Sequence, residues 1–142
     1  MRIDLSVKHW LNIVCLLVLL PLSSLALSSY TKLDPPAALA LIDENGHADI
    51  PDTYTVIGAD AFKNSNLKSV TIPNSVTHIE DHAFYQAELT SITIPDSIIS
   101  IGQEAFYNND LSTVEIPDSV THIKHYAFQS NNNLTTLTLG NA

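Results

Sequence analysis

Apolar residues return in this chain at an interval longer than any single helix or strand. From Ile50 onward, IPDTYTVIGADAFKNSNLKSVT, IPNSVTHIEDHAFYQAELTSIT, IPDSIISIGQEAFYNNDLSTVE and IPDSVTHIKHYAFQSNNNLTTLT follow one another. The period is 22 residues, stretched to 23 in the last copy by one extra Asn among Asn131, Asn132 and Asn133. A fixed period of this size predicts stacked coils, each too small to bury its apolar side without its neighbours.

The columns divide each copy by role. Tyr54, Val76, Ile98 and Val120 form one apolar column, and Ile57, Ile79, Ile101 and Ile123 a second. The pairs Ala61-Phe62, Ala83-Phe84, Ala105-Phe106 and Ala127-Phe128 set small beside large in every copy, followed by Leu67, Leu89, Leu111 and Leu134. From each of these Leu residues apolar and polar positions alternate, as in Leu67-x-x-Val70-x-Ile72, which predicts a strand. Pro73, Pro95 and Pro117 end it, and Asn74, Asp96 and Asp118 with Ser75, Ser97 and Ser119 supply turn chemistry. A second short strand is expected around SVTHI, then one helical turn carrying Ala-Phe. The predicted fold is an α/β repeat solenoid over residues 50–142, four copies of strand, turn, strand and short helix.

Before the repeats, Arg2 and Lys8 precede an apolar run from Leu11 to Leu20, and small residues follow Pro21. This is the pattern of a signal peptide, with cleavage expected after Ala26. The alternative is an anchor formed by the same apolar segment left uncleaved. Residues 27–40, with Pro35 and Pro36, read as a linker, and residues 41–49, with Asn45-Gly46 as a turn, as an N-terminal cap hairpin. Cys15 is the only cysteine. With the leader removed, the chain has no thiol for a disulfide, a nucleophile or a metal.

Removal of residues 1–26 leaves four Lys against fourteen Asp and Glu, a formal charge of −10. Such an acidic surface repels phosphate backbones, so nucleic acid is not an expected partner. No cofactor and no metal are expected. His78 and His122 lie two coils apart, about 10 Å at strand spacing, too far to share a zinc ion. The Asp52, Asn74, Asp96 and Asp118 column lacks the Gly-rich loops of calcium-binding repeats and reads as turn chemistry. Asn133-Leu134-Thr135 fits the N-glycosylation pattern, too short a match to carry weight. A hydrolase would need a Ser, a His and a carboxylate converging in a pocket, which a solid stack does not offer.

The Leu-x-x-Val-x-Ile spacing matches the leading half of the leucine-rich repeat pattern. IPDSVTHIKHYAF together with LTSITIP resembles the BspA-type leucine-rich repeat of bacterial and protist surface proteins, over Ile50 to Leu139. The resemblance implies a leucine-rich repeat-like stack and a non-catalytic adhesion or binding role, secreted or at the cell surface. Two departures stand out. Ser75, Ser97 and Ser119 sit near the place where the general pattern has an Asn or Cys bonding the backbone of adjacent turns. Gly58 and Gly102 keep the Gly that usually follows the second-column Ile, while Glu80 and Lys124 replace it.

The candidate recognition surface is the outward row of the longer strand, Ser69, Thr71, Ser91, Thr93, Thr113, Glu115, Thr136 and Thr138. Hydroxyls suit exposed strand positions for structural reasons alone. As a functional surface, the row is expected to meet an extracellular protein or glycan, with ice or a crystal surface as the alternative. Val120, Ile123, Phe128, Leu134, Leu137 and Leu139 form the last layer, with three residues after them. They are expected as an interface for self-association, or as the sign of a remnant of a longer repeat protein.

Overall fold

In the computed structural model, which describes residues 30–140, the elements in order are β1 (Lys32–Leu33), helix α1 (Pro35–Leu39), β2 (His47–Asp49), β3 (Val56–Ile57), β4 (Ser69–Thr71), β5 (His78–Ile79), β6 (Ser100–Ile101), β7 (Thr113–Ile116), β8 (His122–Ile123) and β9 (Thr136–Leu139). The expected leader, residues 1–26 with Cys15, lies outside the described residues. The short strands β1, β3, β5, β6 and β8 form one five-stranded parallel sheet, one strand per coil. The longer strands pair in parallel as β2 with β4 and β7 with β9. This is a solenoid of five coils, the four expected copies plus one formed by residues the repeat pattern does not cover.

That first coil corrects two boundaries. From Tyr30 onward, the segment read as a linker is packed: β1 pairs with β3, and Leu33 and Ala38 are fully buried. Pro35 and Pro36, placed by the sequence in a linker, instead begin a helix, because the first helical positions need no backbone donor. The expected cap turn forms at Asp43–Gly46, where the Gly46 N–H donates to Asp43 O and Gly46 adopts φ 78°. A Cβ at Gly46 would also meet Asn66 O at 2.7 Å. The chain then enters β2, which pairs His47 with Ser69 and Asp49 with Thr71. The cap is thus itself a coil.

Stacking is tightest along the Phe column. Phe62, Phe84, Phe106 and Phe128 lie ring over ring, with centroids 5.2, 5.1 and 5.1 Å apart and planes within 6°. Phe62, Phe84 and Phe106, fully buried, each bring about 1.5 to 3 kcal/mol of apolar burial, and the stack adds roughly 0.5 to 1.5 kcal/mol per pair. The small Ala before each Phe is what admits the next coil; Ala61, Ala83 and Ala105 are fully buried.

The segment carrying Ala-Phe is a tight turn, not the expected helical one. Asp60, His82, Glu104 and Tyr126 all take φ of 52 to 61°, and Asn64, Gln86, Asn108 and Ser130 take φ of 51 to 62°. Left-handed backbone at a non-glycine residue costs about 1 kcal/mol. Hydrogen bonds between coils hold it in place. Asp60, Phe62 and Asn64 N–H groups donate to the Asp81, Ala83 and Tyr85 carbonyls at 3.2, 2.7 and 2.8 Å, and the next coils repeat the arrangement.

The role assigned by position to Ser75, Ser97 and Ser119 belongs mainly to two other residues. Ser97 Oγ donates to Val76 O at 2.7 Å, but Ser75 and Ser119 Oγ are buried without partners. Buried Asn109 accepts from Ala87 and Leu89 N–H through Oδ1, and its Nδ2 donates to Phe84 O at 2.8 Å. Asn131 does the same one coil on, accepting from Leu111 N–H and donating to Phe106 O and Phe128 O. The column runs Ser65, Ala87, Asn109, Asn131. Only its second half has side chains that can tie coils together. The signal was in the sequence, but in the loop before Leu rather than after Pro.

Candidate functional site

The outward row of the longer strands divides into two parts. Parallel pairing in register brings Thr113 beside Thr136 and Glu115 beside Thr138 on the surface between β7 and β9. At the other end, it brings Ser69 and Thr71 beside His47 and Asp49. Between these pairs lies Ser91–Ile94, which joins neither sheet; Thr90 N–H still donates to Lys68 O, and Asp110 N–H to Leu89 O. All eight candidate residues therefore lie on one side of the solenoid, but their hydroxyls have different surroundings.

At the N-terminal part the hydroxyls are engaged. Ser69 Oγ lies 2.7 Å from His47 Nδ1, and Thr71 Oγ1 lies 3.3 Å from His47 Nε2. His47 Nε2 is also 3.2 Å from the Asp49 carboxylate. The Thr71 hydroxyl and the imidazole together hold the Asp49 carboxyl below its ordinary range. Backbone donors orient the adjacent turn: the His47 and Asn45 N–H groups bond Asp43, and its carboxyl is likewise lowered.

Ser69, His47 and Asp49 are thus a Ser, a His and a carboxylate in hydrogen-bond sequence, a convergence not expected from the sequence. Catalysis would also need an unoccupied donor for a developing oxyanion. The Lys68 and Ser69 N–H groups both donate to Gly46 O, and β2 and β4 are joined by their ladder. Asp49 is largely exposed, and the four main grooves over the described residues are lined by none of the three. The set works as a clasp between the first two coils.

At the C-terminal part a groove of about 720 Å³ crosses three coils. Thr93, Thr113, Glu115, Thr136 and Thr138 line it, with Asp96 and Asp118 at its Pro-turn edge. Among the described residues, no hydrogen bond engages the four Thr hydroxyls, in contrast to Thr77, Thr90, Thr121 and Thr135, each of which donates to a carbonyl one coil back. Neither Asp96, Glu115 nor Asp118 takes part in any ion pair among the described residues. The Lys residues that do form pairs lie elsewhere: Lys32 with Glu80, Lys63 with Asp60 and Lys124 with Asp81.

The histidines take no part in the groove. Nδ1 of His78 and of His122 each contacts the preceding Thr hydroxyl, at 2.7 and 2.8 Å. His82 sits between the Asp60 and Glu104 carboxylates of neighbouring coils. Among the described residues no group of three or more His, Cys, Asp or Glu is arranged to hold a metal ion.

The proposed last layer is open. Ile123, Leu137 and Leu139 are 43, 48 and 64 % exposed, whereas Ile101 and Ile116 one coil earlier are 0 and 3 % exposed. Val120, Phe128 and Leu134 are partly buried against the core.

Parallel coils, a five-stranded sheet of short strands and a second face of longer ones define a leucine-rich repeat solenoid. The model of the BspA-type leucine-rich repeat region matches residues 46–142, and the chain belongs to that family. Three solved leucine-rich repeat proteins are similar to it. That from Bacteroides ovatus is 37 % identical with a TM-score of 0.62, covering 65 % of this chain and 24 % of the other. That from Bacteroides capillosus is 30 % identical with a TM-score of 0.63, covering 68 and 78 %. That from Eubacterium ventriosum is 30 % identical with a TM-score of 0.62, covering 66 and 25 %. The chain therefore spans about a quarter of two of these proteins and most of the third. No curated protein matches it.

Proposed function

We propose that this chain is a secreted or cell-surface binding module that engages an extracellular protein or glycan through the groove over β7 and β9, without changing its partner covalently. One observation carries the reading: among the described residues nothing engages four neighbouring Thr hydroxyls on that face, while equivalent hydroxyls at Ser69 and Thr71 are engaged by His47. Unengaged donors and acceptors on a rigid strand surface can be given to a partner at no internal cost. The leader pattern at residues 1–26 supports export, and the family's repeat architecture supports a binding role.

The test is binding to a glycan array and to a panel of immobilised matrix proteins. Thr93→Lys and Thr138→Lys are expected to abolish the signal, and Thr71→Lys to leave most of it. Binding unchanged in all three variants would remove the assignment to this face. The alternative of an ice or crystal surface needs one regular array, and here the ladder is broken at Ser91–Ile94 and a carboxylate stands at Glu115. Absence of thermal hysteresis is the expected result.

The exposed Ile123, Leu137 and Leu139 support a second contact, self-association through the last described coil. Light scattering over a concentration series would show a rising mass, reversed by Leu137→Glu. A constant monomer mass would dismiss it.

A further inference from the structure

We propose that the occupant of the β7/β9 groove is a basic protein segment, one bearing several Lys or Arg side chains in extended conformation. This rests on the reading of that face as the binding surface and adds the chemistry of the partner. Every ionisable side chain lining the groove is acidic: Asp96, Glu115 and Asp118. No Lys, Arg or His lines it, and the three carboxylates have no cationic partner among the described residues.

The disposition of cations elsewhere makes this more than a consequence of net charge. Lys32, Lys63 and Lys124 each sit on carboxylates on other sides of the solenoid, and Glu80, Asp60 and Asp81 are thereby neutralised. The charge left uncompensated therefore includes the groove, where a concave wall concentrates its field. The groove edge adds geometry. Asp118 lies against the backbone of Gly140, where a Cβ would come within 2.6 Å of Asp118 N, so the wall is close and its carboxylate faces the last coil. The side chains of Ser91 and Thr93 are exposed beside the groove, on the same face as the β7/β9 hydroxyls. A neutral polysaccharide would donate hydroxyl hydrogen bonds to the carboxylates but leave their charge uncompensated. A Lys- or Arg-bearing strand donates such bonds and compensates the charge.

The full chain is titrated with a fluorescent decalysine peptide, in parallel with decaglutamate and with neutral dextran. Decalysine is expected to bind and the other two not, with affinity falling steeply as salt is raised. Asp96→Asn, Glu115→Gln and Asp118→Asn together should weaken decalysine binding about tenfold. The same loss of charge at Glu44, Glu88 and Asp110, away from the groove, should change it less than about threefold. Equal losses in the two triple variants would overturn the proposal by reducing it to net charge. Dextran binding that is lost in Thr93→Lys, with no decalysine binding, would overturn it while leaving the face assignment standing. Decalysine binding that survives both the groove triple and Thr93→Lys would remove this inference and the face assignment together. Circular dichroism of each variant separates loss of binding from loss of fold.

Discussion

At the N-terminal end of the long-strand face, Ser69 and Thr71 are held by His47, and the coil beneath is closed by α1 and the Asp43–Gly46 turn. At the C-terminal end, no hydrogen bond among the described residues engages the Thr113, Thr136 and Thr138 hydroxyls, and the coil beneath exposes Ile123, Leu137 and Leu139. Both rows carry hydroxyl side chains. What differs is whether a neighbouring coil brings a side chain that satisfies them. The repeat thus distributes structure evenly, and the two ends differ at irregular residues, His47 at one and Glu115 at the other.

The largest expected contrast is in the core. Phe84 is fully buried between two rings, so Phe84→Ala should destabilise by about 3 to 5 kcal/mol, the usual cost of deleting a buried ring. Phe128 has a ring on one side only and is partly exposed, so Phe128→Ala should cost about half as much, by the smaller area lost. Urea unfolding of both variants measures the difference, and equal losses would mean that the last coil is as well closed as the middle of the stack.

Next comes the Asn column. Asn109→Ala leaves Leu89 N–H and Phe84 O without their partner in a buried place, an expected loss of about 2 to 3 kcal/mol. Ser65 occupies the same column in the first repeat and bonds only Phe62 O, so Ser65→Ala should cost about 0.5 to 1 kcal/mol. A denaturation series that found the two equal would show that the column does not tie coils together.

The repeat, its apolar columns, the short strands and three of the four longer ones were legible because period and alternation report burial directly; Leu89–Ile94 alternates in the same way but pairs in neither sheet, which corrects the strand expected there. The helical turn was misread because Ala-Phe flanked by polar residues looks the same in a helix and in a left-handed turn, and only hydrogen bonding between coils separates them. Pro35-Pro36 was misread because Pro marks a helix start as readily as a linker, and the pairing of Lys32-Leu33 with Val56-Ile57 is not periodic. The hydroxyl row was visible as a row. That His47 occupies one half of it was not, because its register against Ser69 is set by a coil outside the repeat pattern.

His47→Ala should release the Ser69 and Thr71 hydroxyls and the Asp49 carboxylate to water, at about 1 kcal/mol for exposed hydrogen bonds. Its more telling effect is on the comparison itself. If unengaged hydroxyls are what make a binding surface, the variant should gain ligand at the N-terminal end, and Thr71→Lys should then matter where before it did not. A variant that stays silent to Thr71→Lys would show that groove shape and charge, and not free hydroxyls, select the site.

The smallest expected effect concerns what holds the closed end closed. Glu80 and Lys124 stand where Gly58 and Gly102 stand in alternate coils, and each reaches over a glycine to a coil two away: Glu80 to Lys32 at 2.7 Å and Lys124 to Asp81 at 3.0 Å. A Cβ at Gly102 would fall 2.4 Å from the Glu80 backbone, so no side chain could stand between. Burial alone would raise the Glu80 carboxyl, but the bonds from Lys32 and from Ala59 N–H outweigh it, and the group lies below its ordinary 4.5. A lowered carboxyl stabilises the fold fully above its unfolded value and loses that contribution as pH falls through the folded value. Lys32 is raised by its bond to Glu80, so its share is present below 10.5 and lost as pH climbs through the raised value. Glu80→Gln should therefore cost about 0.5 kcal/mol near neutral pH, a partly exposed pair being weakened by solvent. The gap from the parent should close in acid below the folded carboxyl value and narrow again above 10.5. A gap that persists unchanged into acid would assign the effect of Glu80 to its packing over Gly58 rather than to its charge.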